Sequence, residues 1–221
     1  MLANARVPTG ERHCARDGFI SGPHAVVDAM LPDALGKTYV EFGERVGEIS
    51  NCMAQFASKV TVIEFDPEQC AYLLSRGLNV LCTKIDEANV ISVLPLADVY
   101  HWWTSPRGYE RFAKFVNTRV LRANRTAIIY IDFPPLRHEV KMYDMAHYCK
   151  LFQRWYGVDH VSMKRIILPR HPTLNFDTTD DAVRAKLSQE WLSRPIIDGR
   201  MLYHQLRIEV GPWLLDPRGS L

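Results

Sequence analysis

The amino-acid sequence predicts one α/β domain: a doubly wound, mostly parallel sheet of seven strands with helices packed on both faces. Three observations carry that expectation. Short apolar runs alternate with segments of helical periodicity along most of the 221 residues. The first five runs are almost continuously apolar, as strands covered on both faces are. Glycine, proline or a capping side chain marks several of the junctions.

Residues 1–20 carry no clear pattern. Ser21-Gly22-Pro23 opens a helix through Leu35, with Ser21 as cap and Pro23 in the first turn, where its missing N–H costs nothing. Lys37–Phe42 reads as the first strand, broken by Gly43. Over Glu48–Lys59, Ile49, Cys52, Met53 and Phe56 recur three and four apart and mark one face of a helix. Val60–Phe65 is the second strand; Asp66-Pro67-Glu68 starts a helix that Gly77 stops. Asn79–Thr83 and Ala97–His101 follow as strands. Phe112, Phe115, Val116 and Val120 set a helix over Tyr109–Leu121. Thr126–Ile131 is the fifth strand, Glu139–Tyr156 a helix and Val161–Leu168 the sixth strand. Leu206, Ile208 and Val210 alternate with Arg207 and Glu209 in a seventh. The boundaries are then 1–36 for an N-terminal segment and helix, 37–168 for the core, 169–205 for an insertion and 206–221 for the last strand and tail. Loops longer than about 15 residues are usually functional or carry structure of their own, and Asp180–Leu192 is the expected helix of this insertion.

Composition excludes several classes. With 47% hydrophobic and 24% charged residues, the chain has the material for one full core. No stretch approaches the roughly 18 apolar residues of a membrane span. Met1–Gly10 lacks the basic start and apolar run of a secretory signal. The five cysteines (Cys14, Cys52, Cys70, Cys82 and Cys149) are scattered, with no Cys-x-x-Cys pair. That speaks against a disulfide framework or a cysteine zinc site; no metal is expected, and a reducing, cytoplasmic compartment is. The net charge of +2 conceals an asymmetry: residues 31–100 hold 5 Lys/Arg against 10 Asp/Glu, and residues 101–170 hold 13 against 5. A basic half of this kind suits an anionic partner, although solvated helix faces produce the same count.

The candidate chemistry begins at the turn after the first strand. In Glu41-Phe42-Gly43-Glu44-Arg45-Val46-Gly47, the glycines let backbone amides approach a ligand's polar end, beside a helix N-terminus. Glu64 ends the second strand, 21 residues after Gly43. A carboxylate there can accept hydrogen bonds from both hydroxyls of a ribose. Asp66 already occupies the capping position, which leaves Glu64 for a ligand. Asp86, past the third strand, can accept from an adenine amino group.

In order and type these residues resemble the class I S-adenosylmethionine-dependent methyltransferases, over roughly residues 23–211. The family's acid-hydrophobe-Gly-x-Gly-x-Gly turn is matched by Glu41 to Gly47. Its ribose acid is matched by Glu64 in Val62-Ile63-Glu64-Phe65-Asp66-Pro67, its adenine acid by Asp86 in Ile85-Asp86-Glu87-Ala88, and its fourth motif by Asp98 in Ala97-Asp98-Val99-Tyr100. The resemblance implies a Rossmann-like sheet with the last strand antiparallel, S-adenosylmethionine as cofactor, and methyl transfer as activity. It implies that Glu41, Gly43, Gly47, Glu64, Phe65, Asp86 and Asp98 serve the cofactor, with Phe65 and Ile85 flanking the adenine. One departure stands out: the middle glycine is Arg45, which would salt-bridge the methionine carboxylate, pair with Glu41 or Glu44, point to solvent, or narrow the pocket. Arg45 therefore keeps open a catalytically silent cofactor-binding or partner-binding domain. Gly43, Gly47 and Glu64 also roughly suit a nicotinamide dinucleotide fingerprint, but the Gly-x-Gly start is lacking.

Ligands of parallel sheets sit beyond the carboxyl ends of the strands. There the chain places His101-Trp102-Trp103 with Arg107, Asp132 with Arg137-His138, and Arg170-His171. His101 and His138 are the candidate general bases, with Asp132 behind them. Trp102 and Trp103 could stack on a base or shelter a cationic amine, and Arg107, Arg137 and Arg170 could hold an anionic acceptor, nucleic acid or a phosphorylated compound. Singly, each of these residues has an ordinary structural reading as well. Asp132-Phe133-Pro134-Pro135 is similar to the Asp-Pro-Pro-aromatic motif of amino-directed DNA methyltransferases, but follows the fifth strand, has an inserted Phe and ends in Leu; it reads as a tight turn.

Overall fold

The computed structural model of the chain describes residues 23–43, 47–84, 94–102, 115–133, 145–169, 196–197 and 200–215. Its strands are β1 (Thr38–Phe42), β2 (Lys59–Glu64), β3 (Val80–Cys82), β4 (Val99–Trp102), β5 (Ala127–Phe133), β6 (Val161–Pro169), β7 (Ile196–Ile197) and β8 (Arg200–Val210). They form one sheet in the order β3-β2-β1-β4-β5-β8-β6, with β7 a short appendix on β8. β3, β2, β1, β4 and β5 run parallel, whereas β8 runs antiparallel between β5 and β6. The expected seven-stranded, mostly parallel sheet with an antiparallel last strand is therefore present, with β7 as the one addition among the described residues.

Two apolar layers explain the alternation of elements. On one face, Val26, Val27 and Met30 of α1 (Pro23–Ala34) and Ile49, Cys52 and Met53 of α2 (Glu48–Met53) cover Tyr39, Val60, Val99 and Tyr130. On the other, Phe115, Val116, Val120 and Leu121 join Phe152 and Tyr156 of α4 (Met145–Tyr156) over Val40, Phe42, Tyr100, Ile129, Leu206 and Ile208. Successive strand residues serve opposite layers, which is why β1 is buried from Tyr39 to Phe42 without a polar face.

Several boundaries differ from expectation for local reasons. α2 ends at Met53, and β2 begins at Lys59 after a turn through Ala54 to Phe56. The Tyr109–Leu121 helix is described only from Phe115, where it winds as a π-helical turn over Val116–Val120. The last strand starts at Arg200, not Leu206. The 169–205 insertion, including the helix expected at Asp180–Leu192, is described only at Pro169, in β7 and at the start of β8. Asp66 caps α3 (Pro67–Ser75) as expected, accepting from Glu68 N–H and Gln69 N–H. The scattered cysteines spoke against a disulfide framework, but Cys70 and Cys82 are joined in a disulfide, because α3 packs its Cys70 face against the end of β3. Cys149 is not in a disulfide. No described helix is long and apolar enough to cross a membrane.

Candidate active site

Parallel strands end together, so the carboxyl ends of β1, β2, β3, β4 and β5 form one edge. Gly43 leaves β1 with φ +79°, its N–H donating to Ile63 O at 3.0 Å. Gly47 enters α2 with φ +75°, a left-handed conformation that glycine adopts without a Cβ clash. At Gly47 packing adds a second reason, since a Cβ would lie 2.6 Å from Leu73 Cδ2 and 2.7 Å from Leu78 Cδ1. Arg45 lies outside the described residues, as do Ile85 and Asp86.

Glu64 ends β2 only 5% exposed. Its Oε1 accepts Phe65 N–H at 2.7 Å and Asp66 N–H at 3.1 Å. The carboxylate is thus partly used by the backbone, which the sequence did not suggest, and these two bonds fix its orientation. Phe65 beside it is 62% exposed, a large apolar ring open to solvent. A fixed carboxylate next to an open aromatic ring fits a ribose and its adenine: the carboxylate takes hydroxyl donors, and the ring offers a flat apolar wall.

The centre of the edge holds a buried polar chain. Glu41 faces His101 across the β1–β4 register. Glu41 Oε1 lies 2.9 Å from His101 Nδ1, and His101 Nε2 lies 2.5 Å from Asp132 Oδ2. Ser50 Oγ donates to Glu41 Oε2 at 2.5 Å, and Tyr39 OH reaches the same oxygen at 3.4 Å. Gln205 Nε2 donates to Asp132 Oδ1 at 2.8 Å. His101, Asp132 and Gln205 are fully buried, and Glu41 nearly so. Burial by itself would push the imidazole pKa down, but the Asp132 and Glu41 carboxylates on its two nitrogens outweigh it and hold the ring well above its ordinary 6.5.

That geometry corrects the assignment of His101 as a general base. A base needs a free nitrogen lone pair within reach of the substrate's proton. Here both nitrogens are engaged by carboxylates and the ring is sealed from solvent, so His101 is a fixed tie between strands. Asp132 meets its Nε2 from β5, which ties the two strands together. Trp102 is likewise withdrawn from substrate contact: it is buried, its ring 4.7 Å from that of Phe42.

Asp98 is corrected too. It lies at the amino end of β4, the opposite edge from Glu64, where it cannot serve a ligand of the carboxyl edge. Its Oδ2 accepts Thr38 N–H at 2.9 Å and the Thr38 hydroxyl at 2.7 Å, and Arg125 Nη2 meets Oδ1 at 3.0 Å. Burial would raise this carboxyl, but the Thr38 donors and Arg125 hold it below its usual range. His138, Trp103, Arg107, Arg137 and Arg170 fall outside the described residues.

Ser50, Tyr39 and Gln205 were missed in the sequence. Gln205 sits on the Arg207/Glu209 face of β8, which the alternation marked as polar, yet β8 is an inner strand and Gln205 itself is buried. Its central position was the missing signal. The same holds for Asp33 of α1, which accepts Arg207 Nε at 2.7 Å and the Tyr130 hydroxyl, pinning α1 across β5 and β8.

This architecture is a doubly wound, Rossmann-like α/β fold with an antiparallel strand next to β5. Among solved structures, the chain is similar to a precorrin 8W decarboxylase from Methanobacterium thermoautotrophicum, with a TM-score of 0.53 and 13% identity, over 86% of this chain and 90% of that one. It is similar to a precorrin-6y C5,15-methyltransferase from Geobacter metallireducens, with a TM-score of 0.50 and 10% identity over 83% and 84% of the two chains. It is also similar to a variant of the branched-chain polyamine synthase from Thermus thermophilus in complex with N4-aminopropylspermidine and 5′-methylthioadenosine, with a TM-score of 0.50 and 12% identity over 87% and 56%. No protein-family model matches the sequence, and no curated protein matches it. At these identities the likeness defines the fold, and the chemistry must be argued from the site.

Proposed function

We propose that the chain binds S-adenosylmethionine along the carboxyl edge of β1, β2 and β3 and transfers its methyl group to an acceptor presented beyond β4 and β5. The observation that carries the reading is Glu64: nearly buried at the end of β2, oriented by two backbone N–H groups, and flanked by the open ring of Phe65. S-adenosylmethionine supplies a methyl group already activated on a sulfonium. Glu64 holds the ribose hydroxyls, Phe65 and Ile85 flank the adenine, Asp86 accepts from its amino group, and the Gly43–Gly47 turn leaves room for the methionine end. Glu41 acts from below this turn, held by His101 and Ser50.

Methyl transfer from a sulfonium needs alignment more than proton chemistry. With His101 committed to two carboxylates, His138 is the remaining candidate base, and an acceptor atom that bears no proton needs none. The acceptor we propose is anionic, a single-stranded nucleic acid or another phosphorylated compound, held by Arg107, Arg137 and Arg170 with Trp103 as a stacking surface. The 13-to-5 excess of basic over acidic residues in 101–170 supports it. A second reading, a catalytically silent S-adenosylmethionine-binding or partner-binding domain, is favoured by the loss of both His101 and Trp102 to the interior.

The deciding experiment couples calorimetry with product detection. Binding of S-adenosylhomocysteine without comparable binding of a nicotinamide dinucleotide supports the site, and failure to bind either adenosyl ligand rejects it. Release of S-adenosylhomocysteine in the presence of single-stranded RNA or DNA supports transfer; ligand binding with no turnover on any acceptor favours the silent reading. Nucleic-acid affinity should fall linearly on a log–log plot against salt, and less steeply in an Arg137→Glu/Arg170→Glu double variant.

A further inference from the structure

We propose that Cys70 and Cys82 form a thiol–disulfide exchange site whose oxidation state sets how firmly the ribose corner is held. The inference rests on the reading of that corner as the adenosyl site. Cys82 is the last residue of β3, the edge strand of the sheet, and is exposed; Cys70 lies in α3 and is buried. Their Cα atoms are 5.9 Å apart, within the range a disulfide spans without backbone movement, and the sulfurs are joined.

The bond encloses Glu64. Cys82 stands opposite Glu64 in the β2–β3 register. The Cys70 sulfur lies 3.5 Å from the Glu64 carbonyl oxygen, which also accepts Thr83 N–H at 2.7 Å. From Glu64 the chain runs through Phe65 and Asp66 into α3, crosses the disulfide to the end of β3, and returns by the ladder to Glu64. One turn along α3 from Cys70, Leu73 fills the space beneath Gly47. The same helix therefore supports both the ribose acid and the turn. Among the described residues, the buried packing that holds it apart from the disulfide is a small cluster of Val62, Leu73 and Leu78. A covalent tie contributes most where the non-covalent one is slight.

The chemistry balances with a peroxide as oxidant and a dithiol as reductant. The exposed Cys82 thiolate attacks hydrogen peroxide, giving the sulfenic acid and hydroxide. Cys70 sulfur then attacks Cys82 sulfur, forming the S–S bond and expelling the sulfenic oxygen as water, with the thiol proton and one from solvent completing two waters. In the return step a dithiol donates two electrons and becomes a disulfide itself. Because the exchange site and the adenosyl site share one wall, coupling is reciprocal: bound ligand should favour the disulfide by the factor through which the disulfide favours ligand.

The test uses the full chain, oxidised with hydrogen peroxide or reduced with dithiothreitol, and a Cys82→Ser variant. Peptide mapping should find a Cys70–Cys82 link in the oxidised protein alone. Calorimetry should find S-adenosylhomocysteine bound about fivefold more tightly by the oxidised form, the low end of typical inter-site coupling, with Cys82→Ser indifferent to treatment. Absence of the link in folded, oxidised protein overturns the proposal, as does an affinity equal in both states. If neither form binds S-adenosylhomocysteine, the adenosyl reading fails, and hydrogen exchange decides the exchange site separately: slower exchange across 67–84 on oxidation supports it, and unchanged exchange there overturns it.

Discussion

His101 joins three strands through two carboxylates, with Nε2 2.5 Å from Asp132 Oδ2 on β5 and Nδ1 2.9 Å from Glu41 Oε1 on β1. Removing one partner of a buried ion pair leaves the others desolvated and uncompensated. His101→Phe is therefore expected to cost roughly 3–5 kcal/mol, and His101→Gln, which can donate one hydrogen bond, less. The pH dependence has a definite sign. The folded pKa lies well above the ordinary 6.5, so the stabilisation is complete below that value and is lost as pH rises through the folded pKa. Denaturant unfolding should show the gap between wild type and His101→Phe narrowing in alkaline buffer. A gap that widens with pH would mean the ring is neutral in the fold.

Glu64 has two tasks that different substitutions separate. Glu64→Gln keeps an oxygen for the Phe65 and Asp66 N–H groups but loses the charge. It should weaken S-adenosylhomocysteine by about tenfold or more, the loss of a charge-assisted contact worth roughly 1.5–3 kcal/mol, with little change in melting temperature. Glu64→Ala should lower both. A Gln variant that binds as wild type does would assign the carboxylate wholly to the β2–α3 turn.

For Asp98 the expected pattern is the reverse. Asp98→Ala removes the acceptor of Thr38 N–H, the Thr38 hydroxyl and Arg125, so β1 and β4 lose a tie at their amino ends. Asp98 is partly solvated, and the loss should be about 1–2 kcal/mol, in the range of ordinary hydrogen bonds, with adenosyl affinity unchanged. A selective fall in affinity, read by calorimetry on folded protein, would return Asp98 to the cofactor side.

What the sequence disclosed and what it hid divide along a physical line. Apolar runs and the Asp66-Pro67-Glu68 start are local signals, and they located the strands and the cap of α3. The turn glycines are local as well, since their positive φ is written in residue type. The buried chain from Ser50 to Gln205 is not local: Glu41, His101 and Asp132 meet because the strand order β1-β4-β5 places them side by side, 60 and 31 residues apart in sequence. Nothing in a histidine beside two tryptophans tells whether its ring faces a ligand or a carboxylate. Cys70 and Cys82 were hidden for the same reason, since spacing along the chain does not report the closure of α3 onto β3.

Gly47 offers the sharpest test of how the turn is built. Its φ of +75° would cost an alanine about 1–2 kcal/mol in the left-handed region. The added methyl would also meet Leu73 Cδ2 at 2.6 Å and Leu78 Cδ1 at 2.7 Å. Both contacts are with the ends of leucine side chains, which can turn aside, so overpacking should add only the low end of its usual range, about 1 kcal/mol. Gly47→Ala is then expected to destabilise the protein by roughly 2–3 kcal/mol. Because Leu73 belongs to the helix that follows Glu64, the displaced side chain should also disturb the ribose corner and weaken S-adenosylhomocysteine. Gly36 is the control: its φ is +70°, but a Cβ there meets nothing within 4 Å. Gly36→Ala should carry the backbone cost alone, with ligand affinity intact. Equal losses of stability in the two variants, measured by denaturant unfolding, would show that conformation rather than packing requires glycine at Gly47.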